Sequence, residues 1–255
     1  MIDIAKFAEV VDEAARTARA IPQFTETATL SIAEAYEIQA RSIDRRIKRG
    51  ERLVGVKMGL TSRAKMAQVN VHEVIWGRLT DAMRCEEGGA VSRARYVHPR
   101  IEPEIAYLLK APLSGDVSPA EALRAVEAVA PAMEVIDSRY RDFKFALPDV
   151  VADNSSSSGF VVGPWSRPDV DCSNLGIVME IDGRAVEIGS SAAILGNPIR
   201  SLVAAARLAG PPLGGLQPGW IVLAGGATAA RPLAVGQHVR TTIQDIGSVS
   251  IRVGE

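Results

Sequence analysis

From residue 101 onward the chain is a succession of short strand-like runs, and this succession most limits what it can fold into. Apolar and β-branched runs at 101 to 109, 130 to 136, 159 to 163, 175 to 181, 184 to 188, 220 to 224, 238 to 243 and 248 to 253 are separated by Gly, Pro, Asn, Asp and Ser. Two helical patterns punctuate them. Ser118-Pro-Ala-Glu121 joins an N-cap, a proline at the first helical position and a capping-box acid, and Asn197-Pro198 precedes Ile199, Leu202, Val203 and Ala206 at helical spacing. This pattern predicts an α+β class with a rolled or barrel-like mixed sheet.

The first part of the chain differs. Ile4, Phe7, Val11, Ala14 and Ala18 recur at helical spacing until Pro22. Ser31-Ile-Ala-Glu34 has capping-box spacing, with Ile32, Ala35, Tyr36, Ile43 and Ile47 on one face and Gly50 to end the helix. The basic run Arg45-Arg-Ile-Lys-Arg49 reads as a solvated helix end favoured by the dipole. Leu53 to Leu60 reads as a glycine-flanked strand carrying Lys57. A composition change between Asp81 and Gly89 predicts a boundary between a helical, α/β region over 1–80 and a mostly β region with embedded helices over 81–255.

With 255 residues, 47% of them hydrophobic, the chain is long enough to bury a large core. Its 29 basic and 30 acidic residues leave a formal charge of −1, so no global field attracts nucleic acid or an anionic membrane, and a small-molecule partner is expected. No apolar run of about 18 residues and no leader pattern is present, which predicts a cytoplasmic protein. Cys85 and Cys172 lack any Cys-x-x-Cys context, so they read as reduced thiols and not as a zinc site or disulfide scaffold.

Three glutamates stand out against this background. Glu102 and Glu104, two apart on a predicted strand, project to one face while Ile101, Pro103 and Ile105 face the other way. Glu134 interrupts the apolar stretch from Ala130 to Ile136, where an ionised carboxylate is costly unless paired or metal-bound. Together they suit Mg²⁺ or Mn²⁺. The plainer alternative is a solvated strand face for the pair and a salt-bridged Glu134. Lys57, among apolar residues, is either a desolvated lysine able to lose its proton and act as a base or an outward-pointing strand lysine. Asp81 fits a turn or cap as well as a site. The polar run Asp153-Asn-Ser-Ser-Ser-Ser-Gly159 could cradle a carboxylate or phosphate, or be a surface loop, and Gly225-Gly-Ala-Thr228 after a strand is similarly open. There is no G-x-G-x-x-G, P-loop or G-x-S-x-G, and His72, His98 and His238 read as structural.

In combination, these segments resemble the fumarylacetoacetate hydrolase superfamily. Val56-Lys-Met-Gly-Leu-Thr-Ser62, Ala64-Lys-Met-Ala-Gln68, Arg100-Ile-Glu-Pro-Glu-Ile105, Glu134-Val-Ile-Asp-Ser-Arg-Tyr140, Ala152-Asp-Asn-Ser-Ser156, Ala193-Ile-Leu-Gly-Asn-Pro198 and Gly247-Ser-Val-Ser250 carry the resemblance, from about Ser31 to the C-terminus. They are closest to its hydratase/decarboxylase branch. The segments around Lys57, Arg139 and Gly226 favour the decarboxylating side. Pro103 stands where the branch has alanine. The resemblance implies a small N-terminal α/β region and a C-terminal mixed β-roll, with Mg²⁺ or Mn²⁺ on Glu102, Glu104 and Glu134. It also implies Lys57 with Asp81 as its partner in catalysis, and Leu60, Asn154, Ser155, Ser156 and Thr228 as contacts to a 2-oxo acid. The expected reaction is decarboxylation of 2-oxo-3-hexenedioate to 2-hydroxypenta-2,4-dienoate. Hydration of that dienol and a noncatalytic metal-bound subunit are the alternatives. A homo-oligomer and a complex with the pathway hydratase are the expected assemblies.

Overall fold

The computed structural model describes residues 2–62, 66 and 73–255. Helix α1 (Ile4–Thr17) begins at Asp3, whose side chain accepts from the Lys6 amide, and ends at Ala18 in the left-handed region. Helix α2 (Ile32–Lys48) starts on the full capping box of Ser31 and Glu34. The two helices are joined by charge: Asp12, buried on α1, accepts from Arg45 and Arg49 of α2. The basic run is therefore only in part a solvated helix end. Two of its arginines clamp α1 to α2.

The chain then enters a large sheet. Strands β1 (Leu53–Gly59), β2 (Ile75–Thr80), β4 (Arg100–Leu109), β5 (Val126–Ile136), β6 (Ser157–Val162) and β9 (Ile221–Leu223) lie in the order β2-β1-β9-β4-β5-β6, and β10 (Arg231–Pro232) pairs with the start of β4. All contacts in that order are antiparallel except β1 with β9. Strands β3 (Ala90–Ser92), β7 (Gly176–Ile181), β8 (Arg184–Ser190), β11 (His238–Ile243) and β12 (Gly247–Gly254) form a second sheet, ordered β3-β12-β11-β7-β8. The mixed α+β architecture expected from the strand runs is present. The boundary expected between residues 80 and 81, however, runs through a continuous sheet, because β1 and β2 are hydrogen-bonded into the same sheet as β4 and β5. Helical structure at the N-terminal end stops with α2, and the roll starts at β1.

Apolar contacts hold the layers. One face of the large sheet, with Val56, Met58, Ile105 and Tyr107, packs on Leu202, Ala205 and Ala206 of the helix Ile199–Leu208. Ile101, Met133, Val135 and Val161 meet Met179, Val239, Val249 and Ile251 of the second sheet. The large sheet curls until its edges approach. Cys85 donates its amide to the Phe160 carbonyl, and the turn Asn154–Ser156 is hydrogen-bonded to β2, which closes the seam. Inside the curl lie Leu79, Ala106, Ala130, Ala132, Phe160, Val162 and Leu223, with Ile43 of α2 as a plug.

Candidate metal centre and active site

The glutamates stand on this inner face. Glu102 and Glu134 are directly opposed in the β4–β5 ladder, with Glu104 two residues along. Carboxylate oxygens of the three come within 4.8 Å of one another. Glu104 and Glu134 are fully buried, while Glu102 is half-buried and nearer the mouth. Pro103 faces the other way and leaves the triad intact.

Close approach of backbone shapes the rest of the centre. Glu104 Oε2 accepts the Gly225 amide at 2.6 Å. Gly225 has φ +106, and a Cβ there would lie 2.2 Å from Thr61 Oγ1. A Cβ on Gly226 would lie 2.3 Å from Glu102 Oε2, so this glycine makes room for the carboxylate. Lys57 Nζ reaches from β1 to 2.8 Å from Glu134 Oε2, with its side chain 3% exposed. The contact is a buried ion pair.

Electrostatics inside the curl follow from crowding. Burial and the neighbouring Glu134 and Glu102 push the Glu104 carboxyl well above the carboxylate range. Burial pulls Lys57 down, but the combined attraction of Glu134, Glu102 and Glu104 outweighs it and holds the ammonium above its ordinary value. This attraction opposes burial, the effect by which a strand lysine could lose its proton near neutral pH.

The residues fit a hard divalent cation. Oε1 of Glu104 and Oε1 of Glu134 are buried without a hydrogen-bond partner among the described residues. Buried, crowded carboxylate oxygens with open lone pairs are the donor set that Mg²⁺ or Mn²⁺ takes.

Other expected site residues are placed differently. Asp81 accepts from the amide and Nε of Arg52, each at 2.9 Å, and that pairing holds its carboxyl below the usual range. It lies at the Leu53 end of the β1–β2 ladder, whereas Lys57 is opposed to Gly77, five residues and about 17 Å of strand from Arg52. Asp81 is therefore not the partner of Lys57 in this chain. Asn154 spends its amide on the Arg78 backbone, accepting N–H and donating to C=O, and Ser155 Oγ donates to the Trp76 carbonyl. Both serve the seam through these hydrogen bonds. Ser156 Oγ is buried with no hydrogen-bond partner among the described residues. Leu60, at φ 55, leaves the end of β1 and packs partly on Phe24, Ile75 and Val150. Thr228 is half-buried beside the glycine at 189. His72 and, apart from Met66, the run 63–72 lie outside the described residues.

Two pairings went unread in the sequence. Arg139 is buried and tied through Nε to Asp153 and through Nη1 to Ser158. The Lys57–Glu134 pair spans two strands separated in the sheet by β9 and β4, and no local pattern announces it.

Residues 52–254 match the family described as Fumarylacetoacetate (FAA) hydrolase C-terminal, and the chain belongs to that family. Within it, the chain is 61% identical over 247 residues to a 4-oxalocrotonate decarboxylase of Pseudomonas sp, covering 97% of this chain and 96% of that protein. A 2-hydroxypent-2,4-dienoate hydratase of Pseudomonas putida is 41% identical over 174 residues, covering 67% of this chain and 78% of the hydratase. The solved 4-oxalocrotonate decarboxylase from Pseudomonas putida G7, complexed with magnesium and adipate, superposes with a TM-score of 0.94 at 39% identity, over 98% of this chain and 97% of its own.

Proposed function

We infer that this enzyme decarboxylates 2-oxo-3-hexenedioate (4-oxalocrotonate) to 2-hydroxypenta-2,4-dienoate and CO₂, with Mg²⁺, or Mn²⁺, at Glu102, Glu104 and Glu134. The observation that carries the reading is the buried glutamate triad with open oxygens, in a chain so similar along its whole length to a decarboxylase of that name. When bound, the cation supplies Lewis-acid polarisation of the 2-oxo group and offsets the charge of the triad. Breaking the C5–C6 bond releases CO₂ and leaves an electron pair that forms C4=C5. The C3=C4 pair moves to C2=C3, and the carbonyl pair settles on the C2 oxygen, which takes a proton to give the dienol. Lys57, paired with Glu134, is the cation this reading assigns to that oxygen. Its ammonium, 2.8 Å from Glu134 Oε2, stabilises charge as it develops there and has a proton to give. The apolar wall of Ala106, Ala130, Ala132 and Leu223 excludes water behind the triad and strengthens these interactions.

Hydration needs the same metal-bound head, so the triad alone does not separate the two reactions. Each substrate is offered separately to the Mg²⁺-loaded protein while CO₂ release and dienol absorbance are followed. Release of CO₂ from the hexenedioate with slow loss of the dienol is expected, and rapid dienol consumption with negligible CO₂ would reassign the enzyme as a hydratase. Handing a reactive dienol to the next enzyme favours a homo-oligomer associated with the pathway hydratase, which co-sedimentation of the two proteins tests.

A further inference from the structure

Arg100 begins β4, two residues before Glu102, and shares the inner face with Glu102 and Glu104. Its guanidinium carbon lies 4.5 Å from the centre of the Phe143 ring. Among the described residues, other cations near the curl are committed: Lys57 to Glu134, Arg139 to Asp153 and Arg231 to Glu187. Arg100 makes no ion pair among the described residues, although it is partly buried. A guanidinium stacked on an aromatic face keeps its N–H donors in its own plane, free to grip a carboxylate edge-on.

The support is built at a cost. Asp142 and Phe143 have φ 58 and 57, a left-handed conformation that non-glycine residues adopt only when their surroundings impose it. On another side of the same ring stands His98, 6.4 Å between centroids, whose Nε2 is buried without a hydrogen-bond partner among the described residues. An unpaired guanidinium and an unsatisfied imidazole nitrogen thus converge on one strained phenylalanine.

We propose that Arg100, positioned on Phe143, is the specificity residue that binds the carboxylate of the substrate remote from the 2-oxo head. This rests on the metal-bound head proposed above. Residues two apart on a strand are separated by about 6.6 Å, and the two carboxyl carbons of an extended six-carbon diacid, five C–C bonds of about 1.5 Å apart along a zigzag, by about 6 Å. Toward the interior the triad meets Ala106, Ala130, Ala132 and Leu223, which offer no counter-charge. Toward the mouth it meets Arg100.

The test uses two unreactive probes on the Mg²⁺-loaded protein, 2-oxoadipate and 2-oxohexanoate, which share the chelating head and chain length and differ in the terminal carboxylate. Arg100→Met is expected to weaken 2-oxoadipate about ten- to hundredfold by calorimetry while leaving 2-oxohexanoate within about twofold. Arg100→Lys, which keeps the charge without the planar fork, is expected to recover part of the loss. Equal weakening of both probes, or of neither, would overturn the assignment. Because neither probe needs to react, the outcome is independent of whether the enzyme releases CO₂ or hydrates a dienol.

Discussion

A glycine decides how the Glu102 carboxylate is placed. A methyl group on Gly226 would occupy the position of the Glu102 carboxylate, a contact that no real Cβ tolerates. Gly226→Ala is therefore expected to turn Glu102 out of the triad and weaken Mg²⁺ binding at least about tenfold, with the far-ultraviolet circular dichroism of the folded protein retained. Calorimetric titration with Mg²⁺ checks this, and unchanged affinity would show that Glu102 is held by other contacts. The sequence announced Glu102, Glu104 and Glu134 because an acid in an apolar run is costly unless something binds it. It did not announce Gly226 as a spacer, since glycines after a strand serve plain turns equally well. Lys57 was visible too, but the three carboxylates that oppose the effect of its burial were not seen to face it, because they are delivered from two other strands.

Elements show the same division between local and distant causes. Both capping boxes, at Ser31 and Ser118, were legible because the residues that make them are three apart. Strand β2 was not foreseen, and neither was its seam with the turn Asn154–Ser156, where the Arg78 amide and carbonyl are satisfied by the Asn154 side chain 76 residues away. Pairing of α1 with α2 through Asp12 was hidden for the same reason, and it carries a pH dependence. Burial raises the Asp12 carboxyl, but the hydrogen bonds and charges of Arg49 and Arg45 outweigh this and lower it below its ordinary value of 3.8. A carboxyl lowered in the folded state stabilises above the unfolded value and loses that contribution as pH falls through the folded one. Asp12→Asn is expected to destabilise the protein by about 1–2 kcal/mol at pH 7, since both arginines are partly solvated. The gap to wild type should close below about pH 3.8. Urea unfolding at several pH values checks the sign, and a gap that widens in acid would refute it.

At the scale of the molecule, the fold gathers like charges that must be neutralised. Removing Mg²⁺ with a chelator is expected to lower the melting temperature. At a hundred times the dissociation constant, one bound ion stabilises the folded state by about 2.7 kcal/mol. Scanning calorimetry with chelator and with added Mg²⁺ measures the shift. An unchanged melting temperature would mean that Lys57 alone offsets the triad. The succession of strands, the two capping boxes and the acids in apolar runs were enough for the α+β class, the acidic cluster and the family, because each depends on residues near one another in the chain. The curl of the sheet determined the rest. It removed Asp81 from Lys57, turned Asn154 and Ser155 from substrate contacts into fasteners of the seam, merged residues 53–80 with the roll and set Arg100 over Phe143. These outcomes depend on which strands become neighbours and where the sheet closes, and such long-range pairings leave no periodic trace in a single sequence.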